Sequence, residues 1–324
     1  MASHLSVEIG LVHFPGAQLA AIHGLEDLFS VADRMAAEHH QDERIYVACS
    51  QWEWPDAASA PQRLHGGRST DRPTVLILPP RLGGPIAQLD AARYAPWLIE
   101  QHEAGTVLCS VCGGAFLLAE SGLLDGRAAT THWAHADEFR RRYPSVKLDA
   151  DSLVIDDGDV VSAGGLMAWV DLGLKLVDRF LGPTVMAKTA RFMLADPPGR
   201  EQRFYSAFSP NLAHGDAAVL KVQHWLQATG ARDMTLLTLA AHAGLEERTF
   251  LRRFRKATGL TAIDYCQRLR VGKARELLQF GSMSVDMIAW EVGYGDPSAF
   301  RKVFGRVTGL APSEYRRRFS IGQP

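Results

Sequence analysis

Cysteine is scarce in this chain: Cys49, Cys109, Cys112 and Cys266 are the four among 324 residues, too few for a disulfide framework. A charged N-terminal region followed by an apolar stretch, the mark of a secretory leader, is also missing. No apolar run nears the ~20 residues that a membrane-spanning helix needs, so no membrane partner is expected and a cytoplasmic location is. Net charge is almost absent, at 35 Lys and Arg against 36 Asp and Glu. The 12 histidines cluster only as His39-His40, without the spacing of a metal site. No metal and no cofactor is expected.

The near-neutral sum hides an asymmetry. Residues 1–215 carry 18 Lys and Arg against 26 Asp and Glu, and residues 216–324 carry 17 against 10, so the halves are −8 and +7. A basic C-terminal half suits a polyanion, and an acidic partner domain discourages indiscriminate sticking; a solvated charged face is the plainer alternative. At 324 residues the chain exceeds what one hydrophobic core organises. Its composition, 47% hydrophobic and 22% charged, suits two globular halves. The division expected is residues 1–195, a linker at 196–215 and residues 216–324. The linker span holds two adjacent prolines, mixed charge and no periodicity.

The C-terminal half states one pattern twice, as LAAHAGLEERTFLRRFRKATGLTAIDY and IAWEVGYGDPSAFRKVFGRVTGLAPSEY. Gly244 matches Gly293 at an offset of 49, and Phe250/Phe300, Phe254/Phe304 and Tyr265/Tyr315 match at 50, so one residue is inserted after the glycine turn. Solenoids need about three copies, so a pair joined by a connecting helix is expected. Each copy reads as a helix, a glycine turn and an arginine-rich second helix. In the first, Thr238–Ala243 supports Glu247–Thr258. There Phe250, Phe254 and Ala257 face the core, which leaves Arg248 and Arg252 outward with Leu251 and Arg255 nearby. In the second, Asp296 is the N-cap and Pro297 the first helical residue. Phe300, Phe304 and Val307 form the core stripe, and Ser298, Arg301 and Lys302 point out. Arginine is the side chain best shaped to grip guanine O6 and N7 in the major groove.

GYGDPSAFRKVF, closed by TGLAPSEYR, resembles the AraC/XylS family DNA-binding domain over roughly residues 217–319. The first repeat departs from the family pattern at Glu246, where Ser is usual, and at Ala262, where Pro is. The resemblance implies base contacts from Arg248, Arg252, Ser298, Arg301 and Lys302, with Arg255 beside them a further DNA-binding candidate; the two reading helices are expected in successive major grooves roughly 34 Å apart.

The N-terminal half alternates between strand-like and helix-like stretches. Val7–Phe14, Thr74–Pro80 and Thr106–Val111 are short β-branched runs suited to buried parallel strands. A hairpin is expected around Asp157-Gly158 and an amphipathic helix over Met167–Phe180. The order implies an open, mostly parallel α/β sheet covered on both faces, joined to an all-α domain with two helix-turn-helix motifs. Cys112, in VCGGAF at a strand-to-helix junction, has the setting of a nucleophile elbow, where helix N–H groups lower a thiol pKa. It is equally a small residue in a tight turn. Cys109 lies inside the strand, which disfavours a thioredoxin-like reading of Cys109-x-x-Cys112.

CSVCGGAFLLAESGLLDGRAATTHW resembles the PfpI/ThiJ-like branch of the class I glutamine-amidotransferase fold, and more narrowly the sensor domain of GlxA-like regulators. Enzymes of that superfamily pair the elbow cysteine with an acid after the first strand. Here the acids Glu26 and Asp27 come late, inside the helix that follows, so catalysis is not expected; a cysteine hydrolase or hydratase is the alternative. The resemblance implies a homodimeric regulator that activates transcription, with duplex DNA, a small-molecule effector and RNA polymerase as partners. Ligands of open α/β sheets lie at the carboxyl ends of the strands, so the effector candidates are Pro15, Gly16, Gly83, Cys112, Gly113, His132, Trp133 and Gly165.

Overall fold

Short β-branched runs satisfy their hydrogen bonds and bury both faces in the middle of a sheet, and the computed structural model of the chain places them there. The structure describes residues 6–39, 45–54, 61–66, 72–196, 199–232 and 234–320; His40, Pro197 and Pro198 lie outside them. Two compact units divide between Gln202 and Arg203.

The first unit begins with β1 (Ser6–Val12), α1 (Leu19–His39), β2 (Tyr46–Glu53), β3 (Gln62–Gly66), β4 (Val75–Leu78), α2 (Gln88–Ala92), α3 (Ala95–Glu103) and β5 (Val107–Val111). It continues through α4 (Gly114–Glu120), β6 (Ala128–Ala129), α5 (Ala136–Arg142), β7 (Lys147–Leu148), β8 (Val154–Asp156), β9 (Val160–Ala163), α6 (Trp169–Leu181) and α7 (Pro183–Phe192). The main sheet runs β3-β2-β1-β4-β5-β9-β8. Its interior pairings are parallel, and the edge strands β3 and β8 are antiparallel. Side chains alternate between faces: Val75 and Ile77 join the core under α1, α6 and α7, while Leu76 and Leu78 join the core under α2 to α5. β1 has β2 on one side and β4 on the other. The loops after β1 and β4 therefore meet at a topological switch point, where such sheets open a crevice.

The second unit is helical: α8 (Ala217–Thr229), α9 (Leu236–Ala243), α10 (Glu247–Thr258), α11 (Ala262–Phe280), α12 (Val285–Glu291), α13 (Pro297–Thr308) and α14 (Pro312–Phe319). It has two cores. Phe250, Phe254 and Leu239 pack with Val222 and Leu226, and Phe300, Phe304 and Ile288 pack separately with Tyr315. α11 belongs to both, giving Tyr265 and Cys266 to the first and Val271, Ala274 and Leu278 to the second.

Candidate nucleic-acid interface and sensor site

In the first repeat Thr235 caps α9 by accepting from the Thr238 amide at 3.1 Å. The chain then turns at Gly244, whose φ of +66° favours glycine. α10 starts at Glu246 without a side-chain cap, so the departure from Ser costs this helix one satisfied amide. Phe250 and Phe254 are fully buried, which fixes the roll of α10 and leaves Arg248, Leu251, Arg252 and Arg255 on its exposed side. The side chains of Arg248, Arg252 and Arg255 make no ion pair or hydrogen bond among the described residues. Arg253 does the opposite: it grips Asp216, the N-cap of α8, with two hydrogen bonds of 2.9 and 2.7 Å.

The second repeat has the same design with a better start. Asp296 accepts from the Ser298 and Ala299 amides at 2.9 and 3.1 Å, and these bonds lower its pKa. Pro297 opens α13. With Phe300 and Phe304 buried, Ser298, Arg301 and Lys302 are exposed. Arg301 is not free, because its guanidinium pairs with Asp286 on α12. The structure thus brings all six expected contact residues onto the outward faces of two helices.

Cys112 sits between β5 and α4 with a φ of +54°, a left-handed conformation for a residue that is not glycine; such strain marks functional turns. Its amide donates to the Ala163 carbonyl at 2.7 Å, and the Thr131 hydroxyl donates to its carbonyl at 2.7 Å. Gly114 is required here, since a Cβ would lie 2.4 Å from the Leu78 carbonyl oxygen. The elbow geometry is present, but the expected lowering of the thiol pKa is overturned. Burial pushes Cys112 up to about 11, and the hydrogen bond at the Gly113 backbone offsets only part of this. Glu26 and Asp27 lie within α1. The Glu26 carboxylate is taken by Gln51 at 2.6 Å and His23 at 3.0 Å, so it does not serve the elbow. Burial likewise raises the Cys109 thiol inside β5. Alkylation of Cys112 is expected to be slow at pH 8 and to rise about tenfold per pH unit up to pH 10, tracking the thiolate fraction; peptide-resolved mass spectrometry after timed iodoacetamide treatment checks it. A rate already level at pH 8 would mean an activated nucleophile.

At the switch point the loops after β1 and β4 are sewn together. The Leu82 amide donates to the Gly16 carbonyl and the Gln18 amide to the Pro80 carbonyl, both at 2.8 Å. Arg81 fills the space between: Nε donates to the Pro15 carbonyl at 3.1 Å and Nη1 to the Gly84 carbonyl at 2.7 Å. A Cβ on Gly113 would come within 3.1 Å of the Arg81 Cβ. Pro15, Gly16 and Gly113 are therefore gathered around Arg81. Gly83 faces open space. His132 and Trp133 adjoin the elbow through Thr131. Burial, then the charge of His135, lowers the His132 pKa, and its Nδ1 accepts from the Ala134 amide.

A cavity of about 410 Å³ lies in the same unit between β8 and α6, lined by Ser152–Val154, Asp156, Asp171, Lys175 and Gly199–Glu201. None of the eight effector candidates lines it. Asp171, 1% exposed, is held there by both arms of Arg200. Among the described residues no group of three or more His, Cys, Asp or Glu could hold a metal, and no helix is long and apolar enough to cross a membrane.

Comparison with known proteins agrees with this geometry. Residues 239–318 match the family described as helix-turn-helix domain, and residues 69–179 match the DJ-1/PfpI family. The HTH-type transcriptional regulator CdhR of Pseudomonas aeruginosa is 28% identical over 229 residues, covering 70% of this chain and 68% of the relative. The HTH-type transcriptional regulator GlxA of Rhizobium meliloti is 28% identical, covering 73% of each. Among solved structures, the DNA-binding domain of AdpA in complex with a target DNA is 34% identical over 32% of this chain and 92% of that one, with a TM-score of 0.31. The chain is a DNA-binding transcriptional regulator of the helix-turn-helix class. More narrowly, it joins a DJ-1/PfpI domain to an AraC-type helix-turn-helix domain and is similar to the GlxA and CdhR regulators.

Proposed function

We propose that the chain reads promoter sequence with Arg248, Arg252 and Arg255 of α10 and with Ser298, Arg301 and Lys302 of α13. It does so as a cytoplasmic homodimer that activates transcription through RNA polymerase, under the control of a small metabolite held by the N-terminal unit. The observation that carries the reading is the repeated placement of exposed cations opposite two phenylalanines on each reading helix. The effector candidates at the elbow and switch point lie at the carboxyl ends of parallel strands, the usual ligand position in such sheets. A cysteine hydrolase is disfavoured by the raised thiol pKa and the engaged Glu26.

Selection from a random duplex pool should enrich two short motifs about one helical turn apart within each half-site. A pool that stays random would sink the reading. Cys112→Ser should keep promoter control in a reporter strain; its loss together with a measurable turnover would favour the hydrolase.

A further inference from the structure

The two helix-turn-helix repeats bury the same phenylalanine pattern and differ on the face that reads. With the offset of 49 before the glycine turn and 50 after it, Arg248 corresponds to Ser298, Leu251 to Arg301 and Arg252 to Lys302. On the supporting helices Leu237 corresponds to Asp286. In the second repeat positions 286 and 301 are joined, because the Arg301 guanidinium on α13 pairs with Asp286 on α12. In the first repeat both partners of that ion pair are replaced by leucines. Neither is buried: Leu237 on α9 is 67% exposed and Leu251 on α10 is 41% exposed. An apolar pair thus stands where the equivalent surface of the other repeat carries a charged one.

A single exposed leucine is ordinary on a protein surface. Leu251 has unusual neighbours. Arg248 lies one helical turn before it and Arg255 one turn after it, at i−3 and i+4 on the same stripe, and Arg252 is adjacent in the chain. Leu251 is therefore in the middle of the cationic face that the proposed function lays in a major groove. There it meets base edges that display hydrogen-bonding groups, which leucine cannot satisfy; the exception is the 5-methyl group of thymine, the apolar group of that groove. Over guanine, cytosine or adenine the leucine would strip water from donors and acceptors and return no hydrogen bond. We infer that Leu251 is a specificity-determining residue that selects thymine through its methyl group, with Leu237 backing it from α9. The first repeat then reads a methyl group at the position where the second presents a guanidinium. The inference rests on the proposal that α10 reads DNA.

Deoxyuridine tests this directly, since it differs from thymidine by that methyl group alone. The duplex enriched by selection is remade with each thymine in turn replaced by uracil, and the full chain is titrated against the set. At one thymine, removing the methyl is expected to weaken binding about three- to fivefold, the effect of one buried methyl group. Leu251→Ala should lose a similar factor on the parent duplex and show no further loss on that uracil duplex. It should fold, because alanine suits an exposed helical position. The double exchange Leu237→Asp with Leu251→Arg, which copies the second repeat, should abolish the uracil effect and move the preference at that base pair toward guanine by at least about fivefold. Wild-type binding that ignores every uracil, or a uracil penalty that persists at the same position in Leu251→Ala, would overturn the role of Leu251 and leave the regulator reading intact. Failure of any duplex to bind would overturn both.

Discussion

Phe304→Ala is expected to destabilise the second helix-turn-helix by about 3–5 kcal/mol and to erase half of the protected DNA. Phe304 is fully buried and meets Tyr315 edge-on at 5.5 Å and Phe300 at 5.5 Å. The core it serves is small, comprising Val271, Ala274, Leu278, Ile288, Ala289, Val292, Phe300, Phe304 and Tyr315 as its buried members. Whole domains are stable by only about 5–15 kcal/mol, so a cavity of this size removes most of what holds α12, α13 and α14 together. The first repeat keeps its own core around Phe250 and Phe254, and α10 should still enter its groove. Footprinting should therefore shrink from two adjacent grooves to one, and melting followed by circular dichroism should resolve an early helical transition. Phe254→Ala should give the complementary half. An unshortened footprint with Phe304→Ala would mean that α13 does not read DNA.

The sequence disclosed whatever rests on local pattern. The two reading helices, the cap at Asp296, the buried strands and the hairpin at Asp157-Gly158 were legible because periodicity and turn residues decide them within a dozen positions. Strand β2 and the edge strand β3 were not. In YVACSQWE the burial pattern does not alternate, since the first four residues are all half-buried, and the pairing with β3 shifts register between Gln51 and Trp52. The polar machinery was also hidden, because its partners are far apart in the chain: Arg200 finds Asp171, Gln202 finds Thr130 and Arg275 finds Ser206 only after folding. Composition actively misleads at Arg275, an arginine in a basic helical domain that reads as surface and is buried. At 196–215 the absence of a period suggested a linker whose aromatic residues could dock on a domain, and Phe208 packs edge-on against Tyr265 in the second unit. The elbow was legible as backbone, through VCGGAF, and illegible as chemistry, because the thiol pKa depends on burial that no motif encodes.

Arg252→Ala is expected to relax the base preference at one operator position by about 1–3 kcal/mol, or roughly five- to 150-fold, with Arg248→Ala acting likewise at a neighbouring position. Both side chains are exposed and without a partner among the described residues, so nothing within the protein competes for their bidentate donors. Arg301 differs because Asp286 already holds it. An exposed pair of this kind is worth about 0–1 kcal/mol, so binding DNA must either exchange that pair or keep it, and Arg301→Ala should fall at the lower end of the same range. Salt separates base reading from simple attraction. Each phosphate contact removed lowers the slope of log K against log salt by about 0.9 and weakens all sequences alike, whereas a base contact chiefly alters the ranking of sequences. Competition binding on operators varied one base pair at a time, repeated at several salt concentrations, reads both quantities. If Arg252→Ala weakened every operator equally and flattened the slope, α10 would be gripping the backbone, and the sequence preference would have to come from α13 alone.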